Sequence, residues 1–332
     1  MKLIQQPMLL ACCAALLLAG SCKKPDNTSG SIETVTTNSD ISTFDALRST
    51  PQTFTVTAGT AKSLLGAAGT YLRFYPNSFK DKNGNIITSG TINLELIEAY
   101  EIGDMIANRA ATVTNTGVLT SGGEVNIKAT MNGEEVFANK YGIGFKAAQT
   151  ATAKPMELYY GDRNNPDSIV IWSAKPGAKD DTVSGSIYIT DPSLKLIEGI
   201  YYMFDSCSSF KWINSDHPHD GTSKYVKITV NVSGLQFTGN VQSSLSIGFA
   251  ALKVATTLRQ TSFDQNTRTG TYQGWSPTGS PARFAFFVPK DKNNWYYYEY
   301  TGTVTDGLII NATPQLLTLA GIKSKLKDLG TP

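Results

Sequence analysis

Short runs in which apolar and polar residues alternate, each closed by Gly, Pro, Asn or Asp, recur through most of this 332-residue chain, and that rhythm commits it to β-structure. Successive side chains of a strand point to opposite faces, so alternation gives one face to a core and the other to water. Phe54-Thr55-Val56-Thr57 alternates and meets a turn at Ala58-Gly59, and Tyr71-Leu72-Arg73-Phe74 alternates again before Pro76-Asn77. Asp81 to Asn85 reads as a hairpin turn in which Gly84 takes positive φ, after which Thr91 to Ile97 sets Ile92, Leu94 and Leu96 on one core face. Leu119 to Ile127 reads as a strand, a turn at Ser121-Gly122-Gly123, and a next strand carrying Val125 and Ile127. Beyond a poorly patterned stretch at 147–182, alternation returns at about Ser186–Ile189, Tyr225–Val232, Ser244–Phe249, Arg283–Val288 and Trp295–Val304.

With 29 Gly, 15 Tyr and 14 Phe, the composition agrees with strands joined by turns. The expected fold is mostly β: two consecutive β-sandwich domains, 51–175 and 182–332, with the break near Lys175–Asp181. The exception is the last element, a C-terminal amphipathic helix over 314–329. Thr313 caps it, Pro314 sits in its first turn, and Leu316, Leu319, Ile322, Leu326 and Leu329 follow helical spacing. Lys323, Lys325 and Lys327 fall where the helix dipole favours cations.

The start of the chain follows a different pattern. Lys2 precedes an apolar stretch from about Met8, and Leu18-Ala19-Gly20-Ser21 leads directly into Cys22. The apolar part is too short to span a bilayer, which needs roughly 20 such residues, and has the parts of a secretory signal peptide. The motif resembles a bacterial lipobox, which implies removal of 1–21 and lipidation of Cys22. Several acyl chains on one residue hold a protein almost permanently, where one chain holds it marginally. Polar residues from Lys23 to about Asp40 suggest a flexible tether over 22–50 that cannot bury enough surface to order itself.

Charge and reactive residues narrow the function. A formal net charge of +2, with no basic cluster longer than Lys23-Lys24, argues against a nucleic-acid partner. Of 4 Cys, Cys12 and Cys13 belong to the signal peptide and Cys22 to the anchor. Cys207 is left without a disulfide partner and is expected as a buried apolar residue. The 2 His, His217 and His219, confine any histidine chemistry to one loop, where Asp216, His217, His219 and Asp220 are the candidate metal ligands. No nucleophile elbow, phosphate loop or dinucleotide fingerprint occurs, so no cofactor and no catalytic residues are assigned. Glu95, Glu98, Glu101 and Asp104 form the densest acidic run and read as a solvated edge, since Glu95 and Glu98 fall on opposite strand faces. Trp295 and Tyr297, with Trp275 in a Gly/Pro-rich loop, are the candidate glycan-stacking surface.

The segment Gly69-Thr70-Tyr71-Leu72-Arg73-Phe74-Tyr75-Pro76-Asn77-Ser78-Phe79, with Gly84, Gly90 to Leu96, Asp104-Met105 and Leu119 to Gly123, resembles a group of Bacteroidota surface-type lipoproteins. That resemblance implies a ZU5-type sandwich of the kind used in assembly; the second sandwich is expected to be Ig-like. Phe210-Lys211-Trp212-Ile213-Asn214-Ser215-Asp216 is similar to the Trp-Ile-Asn-x-Asp signature of the group's second domain, with Lys211 replacing a Gly and His217 replacing an Arg. Asp167-Ser168-Ile169 and Asp181-Thr182-Val183 are similar to the group's short O-glycosylation motif, making Ser168 and Thr182 candidate acceptors. The expectation is a non-enzymatic lipoprotein of the outer membrane, facing periplasm or surface, with an attachment or assembly role among envelope proteins or glycans. A carbohydrate-binding accessory protein and a hydrolase or metalloprotein centred on 216–220 are the alternatives.

Overall fold

Ile92, Leu94 and Leu96 share one face of strand Thr91–Ala99 and are at most 1 % exposed, because the strand has a neighbour on each edge and a second sheet over that face. The computed structural model describes residues 32–36, 41–147, 155–163, 169–174, 187–188 and 200–331, and these are mostly β. Gln52–Thr57 pairs with one edge of Thr91–Ala99 and Leu119–Met131 with the other. Lys211–Pro218, Glu157–Asp162 and Ile171–Ala174 extend the sheet beyond Leu119–Met131 in that order. A facing sheet runs Ile187–Tyr188, Ile200–Cys207, Tyr141–Lys146, Tyr71–Phe74, Lys62–Leu65. Leu72, Phe74, Ile143, Phe145 and Phe204 of this sheet meet Leu94, Leu96, Val125, Ile127 and Leu158 of the first in one apolar layer, a β-sandwich. Cys207 is fully buried within that layer, its Sγ 4.0 Å from the Phe204 carbonyl.

A third sheet runs Ile309–Ala312, Ser223–Val232, Thr269–Pro277, Val254–Asp264, Ser244–Phe249, Pro281–Pro289, Asn294–Thr303, Gln315–Thr318. Val254–Asp264 changes partner along its length. Its first half pairs with Ser244–Phe249 and its second with Thr269–Pro277, with a register shift between Gln260 and Ser262. A strand that switches partners at an irregularity lets a sheet fold back over itself. Ile228, Val230, Ile247, Phe249, Tyr272, Phe286 and Tyr296 fill the space it encloses. Glu33–Thr36 pairs parallel with Leu235–Thr238 and sends Val35 into the same core. The Glu33 carboxylate accepts from Tyr296 Oη at 2.6 Å and Lys290 Nζ at 2.9 Å.

The outer face of this sheet is covered. Helix α1 (Ile102–Ala107), helix α2 (Leu319–Asp328) and a 3-10 helix (Ile41–Leu47) lay Ile102, Met105, Ile322, Leu326, Leu329, Phe44 and Leu47 over Ala255, Phe287, Trp295 and Tyr297.

Several sequence expectations change here. The division into 51–175 and 182–332 does not hold, because Ile200–Cys207 and Lys211–Pro218 are strands of the first sandwich. Residues 175–182 lie outside the described residues. Ile32–Pro332 clusters as one unit. The expected tether over 22–50 does not hold throughout, since Val35, Phe44 and Leu47 are at most 3 % exposed; widely spaced apolar residues in a polar segment are enough when each fills a site prepared by distant strands. The last helix begins at Leu319, not 314, with Thr318 as its cap accepting from the Gly321 amide at 3.2 Å. Gln315–Thr318 instead adds to Asn294–Thr303 as an edge strand, which a helical spacing of leucines does not reveal.

Candidate functional site

The Ser121-Gly122-Gly123 segment is no turn. It lies inside one 13-residue strand, Leu119–Met131, as a bulge: Asn214 pairs with Glu124 while Asp216 pairs with Ser121. Gly122 and Gly123 stand opposite the single Ser215, and one extra residue of this kind bends a strand. Glycine is required by contact and by backbone. Gly123 has φ 131°, and a Cβ there would stand 2.5 Å from the Tyr100 ring, while one on Gly122 would stand 2.8 Å from the Ser215 carbonyl. Tyr100 is fixed in turn, its hydroxyl 3.0 Å from Thr70 Oγ1 and accepting from the Lys146 amide at 3.3 Å. Gly123→Ala is expected to cost about 2–4 kcal/mol through a strained φ and displacement of Tyr100, read as a lower urea midpoint at unchanged slope.

The bulge forms part of the floor of a cleft of about 840 Å³ between the first sandwich and the folded-back sheet, within the size range of ligand pockets. Tyr100, Met156 and Tyr202 line one side; Leu252, Lys253 and Ser280 line the other. The Ser121 amide crosses the junction to the Lys253 carbonyl at 3.1 Å, and Lys253 holds a left-handed backbone, φ 51°, uncommon for a side chain with a Cβ. The junction is stitched elsewhere by the Thr112 amide to Ala255 O at 2.9 Å and by Trp275 Nε1 to Asn115 O at 3.1 Å.

Both histidines line this cleft, with Asp220 and Glu101. His217 Nδ1 lies 2.7 Å from the Pro218 carbonyl. A carbonyl only accepts, so Nδ1 is the donor in this contact. His219 Nδ1 lies 3.3 Å from Thr120 Oγ1. Asp216 does not join them: it is fully buried, in contact with Asn214, within strand Lys211–Pro218. Among the described residues no group of three or more His, Cys, Asp or Glu side chains is placed to hold a metal ion. The four-residue set at 216–220 is therefore not assembled as a metal centre, because strand alternation and burial send Asp216 elsewhere.

What the sequence did not expose is a buried carboxyl pair. Glu124 and Asp216 are each fully buried, on adjacent strands. Asn214 Nδ2 donates to Asp216 Oδ2 at 2.5 Å and to Glu124 Oε1 at 3.4 Å, and Ser121 Oγ donates to Asn214 Oδ1 at 3.3 Å. Burial pushes both carboxyls well above their usual range; Asp216 raises Glu124 further, while Arg163 draws it back. The Arg163 guanidinium lies 5.3 Å over the Trp212 ring. Burial, then the nearby Arg48 and Arg109, push its pKa down to about 9. Asn214 and Asp216 both sit within strand Lys211–Pro218. The available signal for Glu124 was its place on the alternating run with Val125 and Ile127, on the face opposite those core residues.

The aromatic surface is also redistributed. Trp295 is 0 % and Tyr297 5 % exposed, sealed under α2 and the 3-10 helix, so neither can stack on a sugar. Trp275 lies in strand Thr269–Pro277, not in a loop, edge-on to Tyr225 at 6.0 Å; Tyr225 is 56 % exposed. The acidic run is not an edge either. Glu95 and Glu98 sit on a strand paired on both sides, and the Glu98 carboxylate accepts from the amides of Ala68 and Thr70, each at 2.8 Å, and from Gln52 Nε2 at 2.6 Å. Cys22, Ser168 and Thr182 lie outside the described residues.

No family model matches the chain, and no curated protein matches it. Among solved structures it is similar to Gamma-CGTase from alkalophilic Bacillus clarkii, at 12 % identity and a TM-score of 0.19, over 77 % of this chain and 41 % of that one. The chain thus spans about two fifths of that neighbour, and a likeness this low assigns neither fold nor activity.

Proposed function

We propose that the protein is a lipid-anchored envelope protein, tethered through Cys22, whose β-rich body serves a non-catalytic attachment or assembly role at the outer membrane. One observation carries this reading: an apolar stretch ending in Leu18-Ala19-Gly20-Ser21-Cys22, where the small residues lead to the single residue type able to take the lipid thioether. Among the described residues no helix is long and apolar enough to cross a membrane. The resemblance of the 69–123 segment to a ZU5-type module and of 210–216 to the second-domain signature of Bacteroidota lipoproteins supports assembly over catalysis. The junction supports it as well, since two sheet bodies joined by main-chain hydrogen bonds present a rigid surface with a cleft. Its partner would be another envelope protein or a glycan.

Metabolic labelling with a palmitate analogue is expected to mark the protein and to fail on Cys22→Ala, with the variant recovered in the soluble fraction. Labelling that survives Cys22→Ala overturns the anchor.

A further inference from the structure

We propose that Glu124 and Asp216 form a proton-holding carboxyl pair that locks the floor of the cleft, so that the bulge and its bond across the junction loosen when the pair ionises.

The geometry supplies the pair and its lever. Both carboxyls are fully buried, bridged by the single Asn214 amide group. Their strand positions bracket the bulge: Glu124 follows Gly123 directly, and Asp216 is paired with Ser121. Ser121 carries the amide that reaches Lys253 O, and Ser121 and Gly122 line the cleft. Two carboxylates in an apolar setting repel each other and lack water, so one keeps its proton or water must enter. The bulge is where solvent in the cleft approaches them.

The groups facing the pair are few. Strand Leu119–Met131 contributes Glu124 and the Ser121 hydroxyl, and strand Lys211–Pro218 contributes Asp216 and Asn214. From Glu157–Asp162 and its continuation come the Tyr159 hydroxyl, bonded to Glu157, and the Arg163 guanidinium. Tyr159 is itself raised, by burial first and then by Glu157 and Asp216, so it stays neutral beside them. Among the described residues Arg163 is the cation acting on Glu124, and it opposes the rise without reversing it.

The sign of the pH effect follows. An unfolded chain releases these protons near pH 4, whereas the folded chain holds them to higher pH. The unfolded state then binds fewer protons, and stability falls as pH rises from about 4 toward the raised folded values. In that window each retained proton changes the unfolding equilibrium about tenfold per pH unit.

The test uses the whole protein. Difference infrared spectra at neutral pH are expected to show the carbonyl stretch of a protonated carboxyl, lost in Glu124→Gln/Asp216→Asn. Hydrogen exchange, corrected for intrinsic rate, is expected to show protection of the Ser121 amide falling as pH rises in the parent and staying level in the double variant. Absence of the band in the parent overturns the proposal whatever the variants do. A band with Ser121 protection independent of pH overturns the coupling to the cleft. If the double variant does not fold, the single variant Asp216→Asn and the parent's urea midpoint decide the matter. The midpoint is then expected to fall with rising pH in the parent and to fall less steeply in the variant; equal slopes overturn the proposal.

Discussion

Trp295→Ala is expected to destabilise the protein by about 4 kcal/mol, the range for emptying a large aromatic site in a packed core. Trp295 is 0 % exposed and sits between the 3-10 helix and the sheet, edge-on to Phe44 at 5.3 Å and tilted against Phe287 at 6.2 Å. Neither neighbour can collapse into the void easily, since Phe44 is on a segment tied at Ser49 to Asn108 and Phe287 is on a strand paired on both sides. The loss should reach the segments that cover the ring, so limited proteolysis is expected to cut near the 3-10 helix sooner in the variant. Tyr225→Ala provides the contrast: an exposed ring, with an expected change within about 0.5 kcal/mol. Equal effects of the two substitutions on the urea midpoint would mean that Trp295 is not a core residue.

Glu98→Ala is expected to cost about 3 kcal/mol, although the side chain is only half-buried. Its carboxylate accepts three hydrogen bonds, and bonds to a charged group contribute about 1.5–3 kcal/mol each when well shielded. Partial exposure lowers the sum. The arrangement is specific: one oxygen takes the Thr70 amide, and the other takes the Ala68 amide and the Gln52 side chain. Gly66 leaves the room, because a Cβ there would collide with the carboxylate. Glu98→Gln should recover little, since turning one oxygen into an amide group sets a donor against a donor. Faster exchange of the Ala68 and Thr70 amides in both variants is the local check; unchanged exchange would show that the loop holds itself.

The contrast between these two residues shows what a chain of this kind reveals before it folds. Strands whose sequence alternates are legible: Thr91–Ala99, Ser244–Phe249 and Pro281–Pro289 fall where alternation places them, although Ser244–Phe249 is buried on both faces. Thr269–Pro277 is not, because its Gly, Ser and Pro residues imitate a loop, although it forms a hairpin with Val254–Asp264 and pairs on its other edge with the more distant Ser223–Val232. The glycines at 122–123 announce a backbone requirement, but a turn and a bulge place the same demand on φ, and the distinction depends on whether Ser215 lies opposite. Trp295 and Tyr297 stand out as large rings on one face, yet exposure depends on helices more than twenty residues away in one case and two hundred and fifty in the other. Glu124 is hidden for a related reason: alternation assigns a charged residue to the wet face, and here a second layer of aromatic side chains covers that face.

Glu33 meets Lys290, Phe44 meets Trp295, and Lys323 Nζ donates to Arg48 O at 3.3 Å. Residues separated by some 250 positions therefore complete one another's burial. Contacts of such long sequence separation are slow to form, because loop closure must precede any reward from packing. A chain emerging from its leading end would hold Phe44 and Leu47 unsheltered until its final helix had emerged. Holdases would have their longest window on this segment, and trimming α2 would leave it permanently open to proteases.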